Sequence, residues 1–235
     1  MSMLILSALV FLGIHFVVSG TRIRDAIVSI TGERAYLGLF SAASIVTIVW
    51  LVVAYNAAAA GPDNHILYDL GRGVRDSAIV LVALAFLLGV QGLLISNPTA
   101  VGQGGAGAKA QVHGVLRITR HPFLWGATIW AAVHLLANGD IASVIFFGTF
   151  FVLSLFGTYS IDAKRKRKLG PGWEEFSSQT SNLPFAAILS GRNVLSWKEV
   201  FGWRFFPAAS AFLIVLFAHS RIFGASPFPN GWVPF

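Results

Sequence analysis

The chain of 235 residues carries 17 Lys+Arg against 10 Asp+Glu, and is 55% hydrophobic with only 11% charged. Soluble domains run near ~25% charged; this lower density, with a mean hydropathy of +0.71, excludes an ordinary cytoplasmic enzyme, a disordered chain and a nucleic-acid binder. The absence of cysteine excludes a disulfide framework, Cys-ligated zinc or iron–sulfur centres and thiolate-bound or covalently attached haem, so any metal or haem must be held by histidine.

In chain order, six apolar runs stand out: residues 2–19, 36–57, 77–96, 123–138, 141–161 and 207–223. Each approaches the ~20 residues that an α-helix needs to cross a ~30 Å hydrocarbon core. The short alternating segments of a membrane β-barrel are absent. The expectation is an all-α fold, a polytopic helical membrane bundle of about six transmembrane helices forming a single domain over 1–235. The first run lacks a basic leader, and Arg22 and Arg24 follow it, so it reads as a retained span rather than a signal peptide.

The loops set the orientation. Segments 21–35, 97–122 and 162–206 hold 14 of the Lys and Arg residues, and the remaining stretches hold three. The positive-inside rule then puts both termini outside, in the periplasm of a cell inner membrane. Most of the basic pI of about 10.3 is therefore a topology signal, and the run Lys164–Lys168 suits anionic headgroups of membrane lipids rather than nucleic acid. Loop 162–206, rich in tryptophan and half apolar, is expected to lie on the cytoplasmic face as an interfacial segment.

No carboxylate lies well inside a span; Asp140 and Asp162 stand at the edges. Acid pairs for proton pumping, di-iron ligation or glycoside chemistry are therefore unsupported. The string Gly102 to Gly107 fits G-x-G-x-x-G by letter but follows no strand, and reads as a glycine-rich loop. Neither a Ser/His/Asp arrangement nor an H-E-x-x-H motif occurs.

Among the histidines, His15 and His134 fall within spans. Each alone fits a neutral imidazole bonded to a backbone carbonyl. Together, on different helices, they fit a pair of axial ligands to a cofactor in the bundle interior, haem being the group such imidazoles commonly hold. His121 and His134 are 13 residues apart, ~20 Å along one helix at ~1.5 Å per residue, and cannot share one iron. Arg120 and His121 precede Pro122, a residue favoured in a first helical turn. They are thus expected at the cytoplasmic mouth of the fourth span, where they suit an anionic cofactor group such as a haem propionate, or a lipid phosphate.

The stretch Arg117-Ile-Thr-Arg-His-Pro-Phe-Leu-Trp-Gly126, continuing through His134 to Asn138-Gly-Asp140, resembles the NnrU family and its plant relatives, the 15-cis-zeta-carotene isomerases. Gly13-Ile-His15, Asn97-Pro-Thr99, Gly172-Trp173 and Leu183-Pro-Phe-Ala-Ala187 extend that resemblance. It implies a membrane protein with haem b between His15 and His134 as metal ligands, Arg120 and His121 supporting the cofactor. It also implies a redox-linked role, either cis–trans isomerisation of a lipophilic polyene or nitrogen-oxide metabolism and denitrification. Arg120-His-Pro122 followed by a helical hairpin and Gly172-Trp173-x-x-Phe176 is in addition similar to the isoprenylcysteine and phospholipid methyltransferases, which implies S-adenosylmethionine at the cytoplasmic face. A third expectation is a non-enzymatic partner of a respiratory complex.

Overall fold

The computed structural model describes residues 1–100 and 111–228; the glycine string at 102–107 lies outside them. The described residues form ten α-helices, one π turn, one 3-10 turn and no strand, only an isolated bridge between Ile66 and Asp140. Four helices are long and apolar enough to cross a membrane: α3 (Glu33–Ala59), α4 (Arg72–Leu93), α6 (Ile141–Leu169) and α10 (Phe205–Phe223). A fifth span arises if α1 (Ser2–Gly13), the π turn Ile14–Val18 and α2 (Ile23–Thr31) count as one chain path bent by 76°. The protein is a multi-pass membrane protein.

The expected count of six spans is thereby adjusted at two places. Helix α5 (Pro122–Ala137) is apolar but has 16 residues, about 24 Å at ~1.5 Å per residue, short of a ~30 Å core. Segment 21–35, expected as a loop, is mostly α2 and the start of α3. Its apolar residues Ile23, Ile27 and Ile30 recur at helical spacing despite the arginines. The basic run 164–168 is also helical, because α6 continues to Leu169. At 29 residues that helix is ~43 Å long, so its basic end extends beyond a hydrocarbon core. Lys and Arg are good helix formers and suit the negative end of the helix dipole.

The chain divides into two compact units. The first comprises Met1–Leu70 and His134–Leu153. Its core joins Leu4, Ala8 and Phe11 of α1 to Leu51 and Ala54 of α3 and to Ala142 at the start of α6. Leu4, Ala8, Phe11 and His15 are spaced by four, three and four residues, which puts them on one helical face. Residues 64–68 strap the α5–α6 turn: Leu67 N–H donates to Gly139 O at 2.7 Å, Ile141 N–H to His65 O at 3.1 Å, and Ala142 N–H to Asn64 Oδ1 at 2.9 Å. Asp140 Oδ1 accepts from Ser143 N–H at 3.0 Å and caps the first turn of α6.

The second unit comprises Gly71–Val133 and Ser154–Phe235. Here α4 packs on α10, with the Phe86 and Phe212 rings 5.8 Å apart. It also crosses the start of α5 at Gly89 and Gly126. Short helices α7 (Pro171–Gln179), α8 (Ala186–Leu189) and α9 (Trp197–Val200) lie between α6 and α10 in sequence. Leu189, Trp197, Phe201 and Trp203 are exposed there, the composition of an interfacial segment.

Lipid tails are as apolar as leucine, so helices in a bilayer associate through close packing rather than through hydrophobic burial. The α4–α5 crossing shows this. A Cβ at Gly126 would stand 2.6 Å from Ala85 O and 2.8 Å from Gly89 Cα, so only glycine permits the approach. Gly148 on α6 has nothing within 4 Å of the same position. Gly126→Ala is expected to lower the thermal unfolding temperature of the detergent-solubilised protein by an overpacking cost of about 1–3 kcal/mol. Gly148→Ala should leave it unchanged or raise it slightly. Equal responses from the two variants would contradict the close crossing.

Candidate functional site

The polar centre of the second unit forms around the carbonyl and side chain of Arg120. Asn97 Nδ2 and Thr99 Oγ1 both donate to Arg120 O, at 3.0 and 2.6 Å. Asn97 Oδ1 accepts from Thr99 N–H at 2.9 Å, a local Asx turn that orients both donors. From the other side Arg120 N–H donates to Ser181 O at 2.9 Å, and Thr119 Oγ1 to Asn182 O at 2.6 Å. The Arg-His-Pro stretch is therefore clamped between the segment after α4 and the segment after α7.

The Arg120 side chain meets Asp162 of α6 in a paired geometry, with Nε 2.9 Å from Oδ1 and Nη2 2.5 Å from Oδ2. Asn182 Nδ2 donates to the same carboxylate at 3.2 Å. The guanidinium lies 5.3 Å from the ring centre of buried Trp173, within reach of a cation–π contact. His121 completes the cluster, Nε2 standing 2.6 Å from Asp162 Oδ1. Burial pushes its imidazole below the ordinary histidine range, against the opposing pull of Asp162. A neutral ring donating Nε2–H to Asp162 leaves the lone pair on Nδ1, and among the described residues that buried atom has no hydrogen-bond partner.

Asp162 is the residue that sequence reasoning undervalues, because in sequence it is only an acid at a span edge. The available signal is its position as the one carboxylate in α6, directly ahead of a basic run. Beside this cluster, Arg117 binds Glu199 through Nε and Nη2 at 2.8 and 2.9 Å, and Gly114 N–H donates to Glu199 Oε2 at 2.6 Å. Arg117 holds the Glu199 carboxyl down at about 2, and the pairing raises the Arg117 pKa.

His15 and His134 both belong to the first unit. The π turn carries His15, its wide i to i+5 closure being Ser19 N–H to Ile14 O at 3.0 Å. Such bulges recur at functional sites. Gly20 permits the chain to leave the turn, since a Cβ there would run into Phe16 O. The His15 Nδ1–H donates to Phe11 O at 2.7 Å, which makes Nε2 the lone-pair nitrogen of the neutral ring.

An aromatic row joins the two histidines. The His15 ring is 4.5 Å from Phe11, and Phe11 is 5.7 Å from Phe150. Phe150 and Phe146 are 5.1 Å apart, Phe146 and Phe147 5.2 Å, and Phe147 lies 4.7 Å from His134. Both histidines are half-buried. Phe40 also meets His15, edge-on at 5.3 Å, and stacks on Tyr36 at 5.8 Å. The four sequence-derived positions thus fall into two sets, His15 with His134 in the first unit and Arg120 with His121 in the second. No group of three or more His, Cys, Asp or Glu arranged to hold a metal ion occurs among the described residues, whereas a haem needs only two histidines.

The chain matches the family model described as NnrU protein over residues 3–227. It is 27% identical to the chloroplastic 15-cis-zeta-carotene isomerase of Arabidopsis thaliana over 219 residues, covering 87% of this chain and 56% of that protein. It is 33% identical to the enzyme of the same name from Zea mays over 122 residues, covering 51% of this chain and 33% of that protein. The match thus spans from a third to just over half the length of these relatives. No solved structure matches the chain.

Two outcomes follow from the second unit. Asp162→Ala leaves a mostly buried Arg120 without its counter-charge, and is expected to cost about 3–5 kcal/mol in detergent unfolding; a loss under ~1 kcal/mol would contradict the cluster. Glu199 has a depressed folded pKa, so its contribution is complete above about 4.5 and disappears as pH falls towards about 2. Glu199→Gln should therefore flatten the acid limb of the stability profile in that window and leave its shape near neutrality unchanged.

Proposed function

The chain belongs to the NnrU family, and from that premise we propose that it is a membrane isomerase of a lipophilic cis-polyene of the zeta-carotene type, using a haem b held by His15 and His134. The observation that carries this reading is the state of His15. Its Nδ1–H donates to Phe11 O, the arrangement by which second-shell carbonyls orient histidines that ligate through the other ring nitrogen. His134 belongs to the same compact unit, and the surroundings suit the group: one imidazole from the π turn beside Phe11 and Phe40 and one from α5 beside Phe147.

When bound, haem supplies a redox-active iron. The protein supplies the surroundings. Phe11, Phe146, Phe147 and Phe150 form an apolar wall that excludes water and gives an extended hydrocarbon flat surfaces to pack against. The spans give such a substrate direct access from the bilayer. Asp162 lies in the second unit, paired with Arg120 and His121. The 14-to-three division of basic residues supports an inner-membrane orientation with both termini outside.

Full-chain protein purified in detergent, from cells supplied with a haem precursor, should show a Soret band and convert 15-cis-zeta-carotene to its 15-trans isomer. His15→Ala and His134→Ala should each remove the band and lower turnover by more than the roughly 10–100-fold that loss of a mere outer-shell partner costs. A folded preparation that remains colourless, or a band that survives both substitutions, overturns the haem assignment. A coloured protein without turnover leaves the cofactor and removes the substrate.

A further inference from the structure

Tyr36 of α3 is 4% exposed, yet its hydroxyl has no hydrogen-bond partner among the described residues. A buried hydroxyl without a partner loses its hydration and regains nothing. Phenylalanine would fill the same space without that loss, so packing does not account for the oxygen. The position of the ring says what does. Tyr36 stacks on Phe40, and Phe40 contacts the His15 ring, so the phenol is one aromatic residue away from the candidate ligand. The Arg24 guanidinium lies 5.2 Å from the centre of the Tyr36 ring. Arg24 also pairs with Glu33 at 2.5 Å and Asp25 at 3.4 Å, and segment 22–34 holds three arginines against these two carboxylates.

We propose that Tyr36 is a ligand-binding residue whose hydroxyl donates to a carboxylate of the cofactor seated against His15. A hydrocarbon polyene has no oxygen to accept such a bond, so the acceptor belongs to an amphiphile that places its apolar body among the phenylalanines and its anionic group beside Tyr36 and Arg24. With haem held by His15 and His134 that group is a propionate, and the inference rests on that reading. It also places the anionic end of the cofactor at residues other than Arg120, whose guanidinium is paired with Asp162, and His121, whose Nε2 donates to the same carboxylate.

The test compares the full-chain protein with its Tyr36→Phe variant, each loaded with haem or with haem dimethyl ester, and follows transfer of the group to excess apomyoglobin. Tyr36→Phe is expected to speed loss of haem by roughly tenfold, the scale of one hydrogen bond to a charged acceptor, and to speed loss of the diester by much less. The apoprotein of the variant should be as thermally stable as wild type or more so, since an unpaired hydroxyl has been removed. Equal haem-loss rates for the two proteins overturn the inference and leave the haem assignment intact. An acceleration of the same size with the diester also overturns it, because the carboxylate is then irrelevant. A wild-type protein that takes up no haem overturns both.

Discussion

A charged group at the edge of a hydrocarbon core must be neutralised by the protein itself, and in this chain that task falls to Asp162. Arg120 and His121 both rely on its two oxygens, and Asn182 fixes the carboxylate from a third direction. The backbone around Arg120 is held just as firmly by Asn97, Thr99 and Ser181. Chain segments distant in sequence are thereby gathered at the first turn of α5. The sequence stretches that carry the family resemblance in this unit, Asn97-Pro-Thr99, Arg120-His-Pro122, Gly172-Trp173 and the region of Leu183, are the residues of this one cluster or adjoin it.

The first unit is organised by another means. Around its histidines the contacts are between rings, stacked at Tyr36, edge-on at Phe40 and tilted at Phe11 and Phe147. A polar clamp and an aromatic row are complementary solutions. The clamp depends on charge balance and fixes backbone positions, while the row depends on shape and leaves an apolar surface suited to a lipophilic ligand.

Most of the spans are legible in the sequence because a nearly uncharged apolar run of about 20 residues matches the thickness of a bilayer and little else. The boundaries are less so. The apolar run of α3 starts at residue 36 and the helix at Glu33; that of α6 stops at 161 and the helix runs to Leu169. In both cases charge suggests a loop, whereas helical backbone continues past a membrane surface as long as good helix formers follow. Helix α2 is hidden for the same reason. His15, His134, Arg120 and His121 are legible by residue type and position. The pairing of Arg120 with Asp162 is not, because 42 residues separate them and only packing of α6 brings the acid to the arginine. Tyr36 leaves no trace in the sequence at all: an unpaired hydroxyl is a property of the folded surroundings.

The π turn at Ile14–Val18 has a consequence for how the first helix is phased. A turn closed over five residues instead of four is an α-helix with one residue added, and each residue advances a helix by about 100°. The stripe Leu4, Ala8, Phe11 and His15 is therefore set by the regular geometry upstream, while the rotation of everything after Val18 carries the extra step. An insertion of this kind lets the N-terminal packing face and the path towards Tyr36 be tuned separately, so the register that seats His15 is insulated from changes in the bend that follows it.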